Sequence, residues 1–201
     1  MAHRRHFAHA PVPPITLNGV VAVHDTRGRL GLNAKFDKVR MINASLIGVK
    51  ADGASFSNAI LDDTSFSRAS LNKADFTGAR LRRANLYEAH LANADFSQAN
   101  LEGARLERAD MFAAKFDEAI LDSARLEAAD AETASFRKAG MTRAVLDDAV
   151  LRETDFSGAD LTKASLRKAI IDDAVFDDAI LSDTIWVQYQ RCRSTSVGEC
   201  R

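Results

Sequence analysis

The chain holds 201 residues, with 27 Lys and Arg against 28 Asp and Glu, and a formal net charge of −1. That balance, with no basic stripe along the chain, argues against direct nucleic-acid binding. No apolar run approaches the roughly 20 residues that a membrane-spanning helix needs, so no membrane span is predicted.

Residues 1–14 contain every proline of the chain (Pro11, Pro13 and Pro14) and several charges, and predict a flexible tail. His3, His6 and His9 lie in it. A mobile tail gives such a cluster no fixed geometry, so no metal or cofactor is predicted there. Val20–Val23 is too short for the apolar core of a secretory signal. A cytoplasmic location with reduced thiols is therefore expected; a leader removed before this numbering would instead make the protein periplasmic or secreted. Residues 15–33 are apolar but out of register with the periodic chain after them, and predict an N-terminal cap.

From residue 34 to residue 186 the chain is periodic. Phenylalanine recurs every twenty residues, at Phe36, Phe56, Phe76, Phe96, Phe116, Phe136, Phe156 and Phe176. This period contains a shorter one of five. Every fifth residue from Phe36 to Trp186 is large and apolar, apart from Ala51 and Ala131. Two residues before each lies a small one, almost always Ala, with Val39, Val49, Thr64, Thr154 and Thr184 as the departures.

A period of five excludes a helix. Five residues advance an α-helix by about 500°, so no single apolar face would form. A straight strand also fails, because an odd period sends successive pairs to opposite faces. Both pairs point inward only if the chain turns a corner once per repeat. Four corners then close a coil of twenty residues, which is the Phe spacing. Glycines just beyond the large residue (Gly48, Gly53, Gly78, Gly103 and Gly158) and asparagines (Asn43, Asn58 and Asn93) suit such corners, because they tolerate positive φ. Stacked coils form a parallel β-solenoid of nearly eight turns with a filled interior. At about 4.8 Å per strand, the rod is roughly 35–40 Å long.

The stretches Ala74-Asp-Phe-Thr-Gly, Ala99-Asn-Leu-Glu-Gly and Ala159-Asp-Leu-Thr-Lys resemble the A(D/N)LXX consensus of the pentapeptide-repeat proteins. The resemblance implies an all-β fold, a right-handed quadrilateral parallel β-helix. Some members are DNA mimics that bind DNA gyrase; many have no established role. The ending Trp186…Cys192…Cys200 is similar to a tail seen after such repeats, but Val187-Gln188-Tyr189 stands where a Gly-containing turn is expected.

Charge and outward residues bear on the choice of function. Residues 31–185 carry 26 acidic and 20 basic residues. Arg80, Arg82 and Arg83 interrupt one face and Arg137 and Lys138 another, which disfavours a continuous negative, DNA-like surface. Acids gather late in the chain at Asp172, Asp173, Asp177, Asp178 and Asp183, with no Lys or Arg between Lys168 and Arg191. Outward positions turn apolar there, at Val145, Val150, Ile170, Val175, Ile180 and Ile185. Two readings stand: β-branched residues that merely suit a strand, or a contact surface for a protein partner or a second copy. Residues 187–201 predict a C-terminal cap, within which Cys192 and Cys200 are close enough in sequence to form a disulfide. No phosphate loop, metalloprotease motif or nucleophile elbow occurs, so no enzyme is predicted.

The register makes one energetic prediction. Phe116→Ala deletes a buried ring and is expected to cost about 3–5 kcal/mol, measured by thermal or denaturant unfolding; an unchanged stability would move Phe116 out of the interior.

Overall fold

A computed structural model describes residues 34–201 and, nearer the start, the backbone of two short strands. Strands β1 (Ile15–Leu17) and β2 (Val20–Ala22) pair antiparallel, with Ile15 opposite Ala22 and Leu17 opposite Val20. The tail expected at residues 1–14, and the rest of the cap expected at 15–33, lie outside the described residues.

The pentad Asp75–Ala79 shows how the backbone closes. Asp75 N–H donates back to Ala54 O of the preceding coil at 2.9 Å, and Phe76 N–H donates forward to Asp95 O of the next at 2.7 Å. Gly78 N–H donates forward to Ser97 O, and Ala79 N–H closes the corner on Phe76 O, both at 2.9 Å. Only Thr77 N–H lacks a backbone acceptor, and the Asp75 carboxylate accepts from it at 2.8 Å. Every fifth residue from Lys35 to Ser165 repeats this arrangement, bridged in parallel to the residue twenty positions ahead. Four bridges and four corners therefore make one coil, and the coils stack into a β-solenoid.

The leftover N–H explains why Asp or Asn recurs before the large residue at many corners of this chain. Asn85, Asp95, Asn100, Asp110, Asp130, Asp155 and Asp160 accept from the N–H two residues on, as Asp75 does. Elsewhere an Asp or Asn at the corner of the preceding coil accepts instead: Asp52 from Asn72, Asn72 from Ala92, Asp122 from Thr142 and Asp147 from Arg167. Where such a side chain is present, the N–H at this position is met from its own coil or from the one before it.

Corners turn through a residue of negative and then one of positive φ, the sign pattern of a type II turn. The glycines and asparagines singled out from the sequence all take the second place, with positive φ. So does every other residue there. From Lys38 to Asp183, 25 non-glycine residues hold φ between 52° and 60°, many of them Lys, Arg or Glu. Left-handed backbone costs an L-residue about 1–2 kcal/mol. The coil imposes that conformation and the stacking bonds offset it.

Within the tube the large and small columns are buried throughout the middle coils, including Ala51 and Ala131. Consecutive rings of the Phe series stack at 4.6–5.2 Å between centroids, from Phe36 through to Phe176. Their planes lie within 16° of parallel. Coil spacing sets ring spacing, and it falls in the range where offset aromatic pairs attract. Phe66, from the opposite wall, packs edge-on against Phe56 and Phe76 at 5.7 and 5.8 Å. The three threonines of the small column have a common role. Thr64, Thr154 and Thr184 are fully buried, and each hydroxyl donates to the carbonyl 23 residues earlier: Met41, Ala131 (2.9 Å) and Leu161 (2.7 Å).

Because Ala131 O also accepts the corner bond from Ala134 N–H at 3.0 Å, losing the threonine bond orphans nothing. Thr154→Ala is therefore expected to cost only about 0.5–1.5 kcal/mol, well below Phe116→Ala in the same unfolding assay.

Candidate functional site

An interior packed with side chains leaves chemistry to the outside. The bridging residues point outward and define four sides. One runs from Lys35 to Val175, the next from Arg40 to Ile180, the third from Ser45 to Ile185 and the fourth from Lys50 to Ile170. The apolar residues singled out from the sequence are spread over all four. Val150 and Ile170 are direct neighbours on the fourth side. Val145 lies on the third, separated from Ile185 by Ser165. Val175 and Ile180 lie on the first and second sides, each beside an aspartate, Asp155 and Asp160. A period of five sends each successive outward residue around a corner, so proximity in sequence does not make one patch. Ile170, Val175 and Ile180 nevertheless share the last coil, and each is well exposed.

Along the body of the rod, charges pair from coil to coil. Arg68 and Arg108 flank Glu88 at 2.9 and 3.6 Å. Asp63 and Arg83 form a two-pronged pair at 2.8 and 2.7 Å, and Asp147 binds Arg167 at 2.7 Å. Glu132, Arg152 and Asp172 form a longer chain, with both contacts within 3.7 Å. Asp62 is the most enclosed of these acids. It is 3% exposed and accepts from Arg80 at 2.8 Å and from Arg82 at 3.1 Å. Burial pushes its carboxyl pKa up, but the two arginines outweigh burial and hold it below the usual 3.8. The Arg83 hydrogen bonds lower Asp63 in the same direction.

At the C-terminal end this pairing stops. Among the described residues Asp173, Asp177, Asp178 and Asp183 form no ion pair, and Asp172 has only the long contact to Arg152. The segment after Trp186 folds back over the last coil. Tyr189 takes the corner place with φ +66° where a glycine was expected, and its N–H bonds to Trp186 O at 2.9 Å. Arg191 then pairs antiparallel with Ile185, and Val197 with Ile180. A disulfide between Cys192 and Cys200 ties these two pieces together.

Two surface hollows, each about 190 Å³, are lined by charged corner residues. One holds Asp147, Asp148, Arg167, Lys168 and Tyr189; the other Asp117, Glu118, Arg137 and Lys138. Both are smaller than the roughly 300–1,000 Å³ of typical ligand pockets. Among the described residues no three His, Cys, Asp or Glu side chains are grouped to hold a metal, and no helix is long and apolar enough to cross a membrane.

A filled four-sided coil of five-residue units defines a repeat solenoid. The family model described as a pentapeptide repeat region matches residues 32–96, and the pentapeptide repeats (8 copies) model matches 79–117, 89–127 and 144–183. The chain belongs to the pentapeptide-repeat family. Among solved structures, a trypsin-treated variant of QnrB1, a plasmid-mediated fluoroquinolone resistance protein, is 16% identical with a TM-score of 0.55, over 71% of this chain and 86% of that one. HetL, a pentapeptide repeat protein involved in heterocyst differentiation regulation in the cyanobacterium Nostoc sp. strain PCC 7120, is 24% identical with a TM-score of 0.47, over 80% and 92% of the two chains. A pentapeptide repeat protein of the Arabidopsis thaliana thylakoid lumen is 29% identical with a TM-score of 0.30, over 58% and 67%. No curated protein matches the chain.

The Asp62 cluster makes stability depend on pH in a definite direction. A carboxyl whose folded pKa is depressed stabilises the fold above its unfolded value, near 3.9, and loses that contribution as pH falls through the folded value. Asp62→Asn is expected to cost about 1.5–3 kcal/mol at pH 7, and the difference from the parent should shrink as unfolding is measured toward pH 3. A difference independent of pH would remove the ionised pair as its cause.

Proposed function

We propose that this protein is a non-catalytic, right-handed solenoid that offers a rigid surface to another protein, with its contact region on the last coils. The observation that carries this reading is the change in surface at the C-terminal end. Along the rod acids are interspersed with Lys and Arg, and some pair with arginines of neighbouring coils. By contrast, Asp172, Asp173, Asp177, Asp178 and Asp183 fall in a stretch with no Lys or Arg between Lys168 and Arg191, beside exposed Ile170, Val175 and Ile180. Scattered exposed apolar residues need no explanation, but apolar residues gathered at one end of a rod suit a partner. A cytoplasmic location is part of the proposal, and there the cap cysteines would bond only under oxidation.

The DNA-mimic reading, binding of gyrase or a related topoisomerase, has the QnrB1-like fold in its favour. Fold alone does not carry function, and ladders of Arg and carboxylate neutralise the field that a mimic needs. A gyrase supercoiling assay separates the two. No inhibition, and no relief of quinolone inhibition, is expected at micromolar protein; either effect would restore the mimic. The partner reading predicts that a protein captured by the full chain is lost when Ile170→Lys and Val175→Lys are combined, and capture unaffected by that pair counts against it.

A further inference from the structure

The C-terminal end of the rod is only half closed. The last coil has no following coil, so its backbone groups need other partners. On the second and third sides the chain's own tail supplies them. Leu181 N–H donates to Ser196 O, and Ala179 O accepts from Gly198 N–H, both at 2.9 Å. Trp186 N–H donates to Gln190 O at 2.7 Å, and Thr184 O accepts from Cys192 N–H at 2.9 Å.

The fourth and first sides differ. The N–H groups of Ile171 and Phe176, and the carbonyls of Ala169 and Ala174, occupy the equivalent positions and have no partner among the described residues. The interior is open at the same place. Phe176, at 9%, is more exposed than the preceding rings from Phe56 to Phe156, and Ile171 and Ala174 are only partly buried. Exposed Ile170 and Val175 flank this edge, and Asp172, Asp173, Asp177 and Asp178 stand at its two corners.

We propose that the edge from Ala169 to Asp178 receives an extended segment of a partner protein, which adds antiparallel backbone to the last coil and carries Lys or Arg next to apolar residues. This rests on the protein-partner reading and names the partner's chemistry. The tail's own pairing at Ile180 and Ile185 shows the mode: one N–H donated and one carbonyl accepted on each side, in antiparallel sense. Strand addition to an open edge is a general form of peptide recognition, with backbone bonds giving affinity and alternate side chains giving choice. Charge decides what the segment carries. A second copy that paired its own open edge with this one would set the aspartate cluster against itself, with no Lys or Arg between Lys168 and Arg191 to relieve it. A basic segment is attracted to the same surface.

The test uses the full chain and a short synthetic peptide that alternates lysine and valine, with an alternating glutamate and valine peptide as its control. Amide hydrogen exchange of Ile171 and Phe176 is expected to be fast in the free protein and slowed by the lysine peptide only, with Leu181 unaffected. Asp177→Arg with Asp178→Lys copies Arg137-Lys138 at the same corner two coils earlier, so the fold tolerates it. That variant should weaken binding roughly tenfold or more, with the salt dependence of charge attraction. Binding without protection of the Ile171 and Phe176 amides would overturn strand addition, and so would absence of binding. Protection already present in the free protein, together with a dimer mass by light scattering, would assign the edge to a second copy and also overturn the proposal. If the peptide fails while Ile170→Lys with Val175→Lys still abolishes partner capture, only the edge proposal falls. If capture too is insensitive, the broader reading falls with it.

Discussion

Everything in this molecule hangs on a backbone register of twenty. Each bridging residue inside the rod bonds the coil before it through its own N–H and carbonyl, while the carbonyl preceding it and the N–H following it bond the coil ahead. No insertion disturbs that spacing between Lys35 and Ile185. Once the register holds, residues of the same column must stack at the coil spacing. Phe lies on Phe, a threonine hydroxyl finds the carbonyl 23 residues back, and an Asp finds the corner N–H of its own coil or the next. The same register enforces a left-handed residue at every corner. Twenty-five non-glycine residues accept that strain, and no local preference of Lys or Arg would produce it. A repeat unit could not hold this geometry alone, because apart from its corner bonds its backbone bonds reach into neighbouring coils.

The register also governs the electrostatics. Residues 31–185 carry six more acids than bases, but a total over the chain says little about the field outside it. Arg83 lies over Asp63, Arg167 over Asp147, and Arg68 and Arg108 on either side of Glu88. Exposed pairs of this kind contribute little to stability one by one. Their larger effect is to interrupt the acidic surface with positive charge at particular corners. The last coil differs in that its five aspartates lie in a stretch with no Lys or Arg between Lys168 and Arg191.

The interior was legible in the sequence because burial repeats. The Phe series, the Ala column and the corner glycines are each recorded in residue type, and together they lead to the coil without reference to any structure. The pairing of Glu88 with Arg68 and Arg108 was less visible, since it links outward residues whose identities follow no period. The positive φ at Lys138 or Glu153 was hidden for a different reason: it belongs to the coil and leaves no mark on the residue. The apolar outward residues show the limit most clearly. Val145 and Val150 are adjacent pentads in sequence but face different sides, while Val150 and Ile170, twenty apart, touch. The closing segment obeys no repeat at all, so its antiparallel pairing over only two sides could not be read from periodicity.

The proposed contact lies where the backbone repeat ends. In the middle of the rod the backbone of each coil repeats that of its neighbours with its edges paired, so only the outward side chains differ from place to place. Specific recognition needs a place where the repeat breaks. The tail creates such a break by pairing with the backbone edge beside Ile180 and Ile185 and leaving the N–H groups of Ile171 and Phe176 without a partner among the described residues. A longer tail would close all four sides and make the end inert; no tail would expose the whole cross-section and invite indiscriminate stacking. Half closure leaves an edge with a defined length, a defined hydrogen-bonding sense and a defined charge. The strict order of the core is what makes that irregular edge distinguishable from the middle of the rod.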